Sequence, residues 1–204
     1  AYAELAPILK KIAAQVAGLR VSASGTVLDA APIGLMVDSS GEAHAVTSDG
    51  SNWAVVFTGY SAGNEGIAVQ RISAGGVVLD PSPVLLKPGT GSLTTDLQIG
   101  FTGGNYVFGW NDAGLVARRF TPALVPLDAT PRTLTSDAGL LVSSPSQLLV
   151  VRSAQTPIFT SEIVVQRFDT GLSALDVVPI SVSGYEAGTY HVDPRAAFVG
   201  DRQA

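Results

Sequence analysis

One short pattern recurs four times along the chain and constrains its fold more than any other feature. An arginine is followed eight positions later by Leu-Asp-x-x-Pro. The copies run from Arg20 to Leu28-Asp29-Ala30-Ala31-Pro32, from Arg71 to Leu79-Asp80-Pro81-Ser82-Pro83, from Arg119 to Leu127-Asp128-Ala129-Thr130-Pro131, and from Arg167 to Leu175-Asp176-Val177-Val178-Pro179. The arginines lie 51, 48 and 48 residues apart. Self-similarity at this period marks a repeat architecture, in which each copy is one supersecondary unit that buries its apolar face against its neighbours.

A second pattern lies between these. Asn52-Trp53-Ala54-Val55-Val56-Phe57 corresponds to Asn105-Tyr106-Val107-Phe108-Gly109-Trp110, with plainer versions at Gln147 to Val151 and Arg195 to Gly200. Each follows a turn rich in Gly, Asp, Ser or Pro, such as Ser48-Asp49-Gly50-Ser51 and Thr102-Gly103-Gly104. Short runs rich in β-branched and aromatic residues between such turns read as strands. The unit is thus four short strands, the size of a propeller blade. The expected fold is all-β, a β-propeller of four roughly 50-residue, four-stranded blades. The N-terminus supplies the Arg/Leu-Asp half of a unit and the C-terminus the other half. Pairing the two would close the ring and remove sheet edges. Before the first strand, Leu5, Ile8, Leu9, Ile12 and Val16 have helical spacing, and Pro7 suits a first helical turn. Residues 1–17 therefore read as an amphipathic helical segment and 18–204 as the repeat domain.

Composition narrows the function classes. The 204 residues are 46% hydrophobic and 14% charged, with a mean hydropathy of +0.33, which argues against disorder. The net charge is −5, and the only adjacent basic pairs are Lys10-Lys11 and Arg118-Arg119. That is not the basic stripe of a nucleic-acid binder. No apolar run approaches the roughly 18 residues of a membrane helix. The absence of cysteine removes disulfides, thiolate zinc sites and thiol catalysis from consideration.

With Arg20 to Ile33, Arg71 to Val84 and Asn105 to Trp110 in view, the unit resembles repeats of large secreted or surface propeller-type proteins of bacteria. Their pattern is R-V-S-x-x-G-x-V-L-D-x-x-P-I followed by N-Y-L-V-V-W. The third and fourth copies depart from it, with Leu124 and Leu172 where the first two have Gly25 and Gly76. The resemblance implies the fold and an extracellular or cell-surface location, and it assigns no chemistry.

Several residues invite a functional reading. Asp29, Asp80, Asp128 and Asp176 recur, and a ring of carboxylates could bind Ca²⁺. The competing reading is structural: each Asp stands nine residues after its arginine, across a hairpin, where the two would pair. Trp53, Tyr106 and Trp110 are candidate platforms for a sugar or small ligand. Gly59-Tyr60-Ser61-Ala62-Gly63 matches the nucleophile-elbow pattern, but a strand, not a helix, is expected after it. Thr47 to Trp53 approaches a sialidase Asp-box with its spacing one residue short. His44 and His191 are too few for a ring of ligands. These residues identify no catalytic group and imply no cofactor. The first expectation is a non-enzymatic structural or protein-interaction module of an extracellular surface assembly, with a protein partner or self-association. The alternatives are a carbohydrate or small-ligand binder and, third, a hydrolase.

Overall fold

The computed structural model describes residues 8–12, 15–35, 42–59, 66–88, 96–155 and 161–183. Every regular element among them is a β-strand. The chain divides into two compact units, Ala1–Leu97 and Gln98–Ala204.

In the first unit, β1 (Ile8–Ile12), β2 (Gln15–Leu19) and β3 (Ile33–Gly34) form an antiparallel sheet in that order. A four-stranded meander follows, built from β4 (Glu42–Ser48), β5 (Asn52–Thr58), β6 (Gly66–Ser73) and β7 (Val84–Pro88). The second unit holds two such meanders. One is β8 (Gln98–Thr102), β9 (Asn105–Asn111), β10 (Leu115–Phe120) and β11 (Arg132–Thr135). The other is β12 (Leu140–Ser143), β13 (Leu148–Gln155), β14 (Ser161–Phe168) and β15 (Ile180–Ser181). The expected all-β, blade-sized sheets are therefore present.

Among the described residues the expected N-terminal helix is absent. Ile8–Ile12 pairs with Gln15–Leu19 as a hairpin, from Ile8 opposite Leu19 to Ile12 opposite Gln15. A helix this short is marginal in water, whereas the strand satisfies its backbone groups against β2. Residues 8–12 belong to the first sheet, not to a separate segment. The strand β1 holds the place beside β2 that the sequence reading gave to Arg195–Gly200, which lies outside the described residues.

Packing explains which runs became central strands. In the first unit Leu35, Val55, Phe57, Ala68 and Ile72 form a buried cluster, with Ile33, Val46, Trp53 and Val78 against it. In the second, Val107, Leu115 and Ala117 of one sheet join Leu141, Leu148, Val150, Phe168 and Leu172 of the next copy. Burying a side chain of this size contributes about 1.5–3 kcal/mol. The other face of β9 carries Tyr106 and Phe108, packed edge to face against Phe101 and Phe120 at 5.1 and 5.3 Å.

Glycine marks two bulges. Gly66 and Gly114 stand five residues before Arg71 and Arg119, beside the register shifts Ile67/Ala68 and Leu115/Val116. A Cβ there would lie 2.2 Å from the Lys87 carbonyl oxygen and 2.4 Å from that of Thr135. The backbone of the neighbouring strand takes the space of a side chain.

Candidate functional site

The recurring Arg and Asp come together in all four copies. In the third, the Arg119 backbone N–H donates to Asp128 Oδ2 at 2.9 Å, Nε to Oδ2 at 3.0 Å and Nη2 to Oδ1 at 2.7 Å. The corresponding Nη2–Oδ1 distances are 2.5 Å for Arg20–Asp29, 2.5 Å for Arg71–Asp80 and 2.6 Å for Arg167–Asp176. Antiparallel geometry sets this up. The amides of Leu28, Leu79, Leu127 and Leu175 donate to the carbonyls of Arg20, Arg71, Arg119 and Arg167, so the next residue, Asp, lies beside the arginine's own N–H. Such fork geometry is the strong form of the ion pair. Hydrogen bonding from the arginine holds the carboxyls of Asp29, Asp128 and Asp176 below the usual range. These four carboxylates are occupied by their own arginines. They build the hairpin. Among the described residues no group of three or more His, Asp or Glu could hold a metal ion.

The aromatic candidates are core residues. Tyr106 and Trp110 are 0% and 1% exposed. Positions 106, 108 and 110 alternate onto one face of β9, so the strand period puts both rings on the same buried side. Trp53 is partly buried against the first unit's cluster. Neither Tyr106 nor Trp110 offers a ring face to a solvent-borne sugar, which corrects their assignment as platforms.

The remaining motifs resolve locally. Asp49 Oδ1 accepts the amides of Ser51 and Asn52 at 2.8 and 2.6 Å, an Asx turn between β4 and β5, with Gly50 at φ +91°. Ser61 lies outside the described residues, but its flanks are strands β5 and β6, paired antiparallel, with Gly59 N–H donating to Gly66 O at 3.1 Å. That is a hairpin and not the strand-to-helix elbow. The backbone of His44 is part of β4; His191 lies outside the described residues.

The structure assembles a polar cluster that sequence reading missed. It sits at one end of the second unit's sheets, where β8 and β12 start and β9 ends. Gln98 Nε2 donates to Gly139 O at 2.8 Å, and Gln98 Oε1 accepts the Leu141 amide. Asn111 Oδ1 accepts the Gly139 amide at 3.2 Å. Asp137 lies on the link between copies. Its carbonyl accepts from Thr135 Oγ1 at 2.8 Å, and its Oδ2 accepts Arg152 Nη1 at 2.7 Å. The Asp137 side chain is 56% exposed and that of Arg152 is 15% exposed. Arg152 Nε is buried without a partner. A carboxylate oriented by an arginine and still open to solvent is the kind of fixed polar group that sets the orientation of a small hydroxylated ligand. Its members come from different elements, and the pairing of Asp137 with Arg152 is not repeated in the other copies' sequences, so only that charged pair could have flagged it.

No family model and no curated protein matches the sequence. Solved structures do resemble the fold. A Bacteroides ovatus structure described as xyloglucan PUL GH43B aligns with 88% of this chain at 11% identity and a TM-score of 0.51. A glycosyl hydrolase from Bacteroides ovatus aligns with 86% of this chain and 69% of its own, at 11% identity and a TM-score of 0.44. The chain spans 41% of the length of the GH43B structure. The likeness is one of fold alone, all-β and β-propeller-like in its four-stranded antiparallel sheets. It also corrects two expectations, that the chain is a non-enzymatic interaction module and that it is not an enzyme. The structure that shares the fold at a TM-score of 0.51 is described as a xyloglucan GH43B protein, so a fold of this kind is no mark of a non-catalytic protein. Among the described residues no helix is long and apolar enough to cross a membrane.

Proposed function

We propose that this chain is part of a carbohydrate-active enzyme that meets its glycan at the strand-end face carrying Gln98, Asn111, Asp137 and Arg152. One observation carries the reading: the blade sheets align with those of the xyloglucan GH43B structure over 88% of this chain. Glycoside hydrolysis usually needs a pair of carboxyl groups, one to protonate the leaving oxygen and one to act as base or nucleophile. Asp29, Asp80, Asp128 and Asp176 are held by arginines, so this work falls to carboxylates outside the clamps. Asp137 is the exposed one that the cluster orients. Xyloglucan-type oligosaccharides are the first substrates to test. An extracellular or cell-surface location belongs to the same reading, as the place where such polymers are met.

The test is release of reducing sugar from xyloglucan oligosaccharides and a panel of aryl glycosides. We expect turnover, reduced about 100-fold or more in Asp137→Asn, with an unchanged melting temperature. Absence of turnover across the panel, or binding by calorimetry without turnover, would overturn the enzyme reading.

A further inference from the structure

Within each unit, successive copies meet through the same two-part contact. The polar part is the arginine's remaining nitrogen. Arg20 Nη1 donates to the carbonyl of Ala74 at 2.5 Å, and Arg119 Nη1 to that of Thr170 at 3.2 Å. Ala74 and Thr170 hold one repeat position, three residues after Arg71 and Arg167. The apolar part lies fifteen residues after the arginine. Leu35 is buried among Val55, Phe57, Ala68 and Ile72 of the second copy. Leu134 packs on the cluster that includes Leu141, Leu148 and Leu172 of the fourth.

The fourth copy carries the donor half of this contact and leaves it open. Among the described residues Arg167 bonds only Asp176. Its side chain is 48% exposed, against 18% for Arg20, Arg71 and Arg119. Val182, at the place of Leu35 and Leu134, is 58% exposed. Beside it Val177, Val178 and Ile180 are 100%, 71% and 46% exposed. The places of Val177 and Val178 are Ala30-Ala31, Pro81-Ser82 and Ala129-Thr130 in the other copies. The apolar enrichment is therefore specific to the open copy.

The first copy carries the acceptor half, also open. A Cβ on Gly76 would lie 2.7 Å from the Arg20 guanidinium carbon, whereas one on Gly25, the same position, would meet nothing within 4 Å. Ala23, at the place of Ala74 and Thr170, is exposed.

We propose that the fourth copy of one chain docks on the first copy of a second chain of the same sequence. Arg167 Nη1 donates to the Ala23 carbonyl, and the partner's first sheet covers Val178, Ile180 and Val182. The contact is heterologous, so it closes into a ring of chains where the rotation allows and otherwise continues head to tail. This goes beyond the glycan reading and is tested without it.

The experiment is light scattering after size exclusion, over a concentration series, on residues 1–204. The expected mass exceeds the 20.9 kDa of one chain and rises with concentration. The Val178→Lys/Val182→Lys variant, altered only at exposed side chains, runs at the single-chain mass with the parent's circular dichroism and melting temperature. Arg167→Gln weakens association about tenfold through loss of one charge-assisted bond. A parent at the single-chain mass throughout would mean that its own chain covers the face, and would overturn the proposal. So would association that neither variant reduces.

Discussion

Leu124 and Leu172 sit at φ +59° and +65°, where the first two copies place Gly25 and Gly76 at +84° and +85°. The left-handed conformation costs an L-residue about 1–2 kcal/mol. Both leucines are nearly fully buried, at 4% and 6% exposure, and burial of a leucine contributes about 1.5–3 kcal/mol. The apolar gain exceeds the strain. Leu172→Gly relieves the backbone but empties part of the second unit's core; the expected net loss is about 1–3 kcal/mol in urea unfolding. The clamps give a pH prediction. The carboxyl of Asp128 is held low by hydrogen bonds from Arg119, against the opposing effect of burial. Its stabilisation is complete above the ordinary carboxylate value of about 3.9 and disappears as pH falls through the lower folded value. Thermal melts from pH 7 to pH 2 should show the parent losing stability below about pH 4. Asp128→Asn should melt lower at pH 7 and lose less on acidification. At this scale the sequence was informative: a nine-residue Arg–Asp spacing repeated four times is legible as a cross-strand pair. The exchange of Gly for Leu was visible, but its compensation by burial required the packing.

At the scale of elements, the three full meanders were legible because turns and β-branched runs recur in register with the arginines. The first strand was not. Apolar residues at Ile8, Leu9, Ile12 and Val16 satisfy a helical period, and nothing local reveals that β2 offers them a backbone ladder. The aromatic assignment failed for a related reason. Alternation along β9 suggests one of Tyr106 and Trp110 in the core, but their even spacing fixes both on one side, and that side is buried. The bulges yield a test. In Gly114→Ala the new methyl meets the Thr135 carbonyl, so β11 must shift and lose pairing with β10. The expected loss is about 1–3 kcal/mol by thermal or urea unfolding. The same substitution at Gly104, where a Cβ would meet nothing within 4 Å, should cost less.

At the scale of the whole molecule, stability follows the logic of a repeat protein, with terms within copies and terms between neighbours. Arg119 and Arg167 separate the two. Both clamp an aspartate, but only Arg119 also reaches a following copy, at Thr170. Arg119→Gln should therefore lower the melting temperature further than Arg167→Gln in a sample dilute enough to be dissociated. The polar cluster around Asp137 was hidden from the sequence because repetition highlights what copies share, and a ligand site draws on where they differ. The clamp has a further consequence. It fixes both ends of the segment it spans, so the five residues at its tip keep one backbone shape while their side chains differ between copies. They read Ser-Ala-Ser-Gly-Thr, Ser-Ala-Gly-Gly-Val, Thr-Pro-Ala-Leu-Val and Asp-Thr-Gly-Leu-Ser, with the same closing bonds, from the fourth residue's amide to the first residue's carbonyl and from the first residue's amide to the fifth's carbonyl. A lineage could vary the first three side chains and the fifth, and so change what these loops present to the outside, while the fourth position, glycine or a buried leucine, keeps the shape.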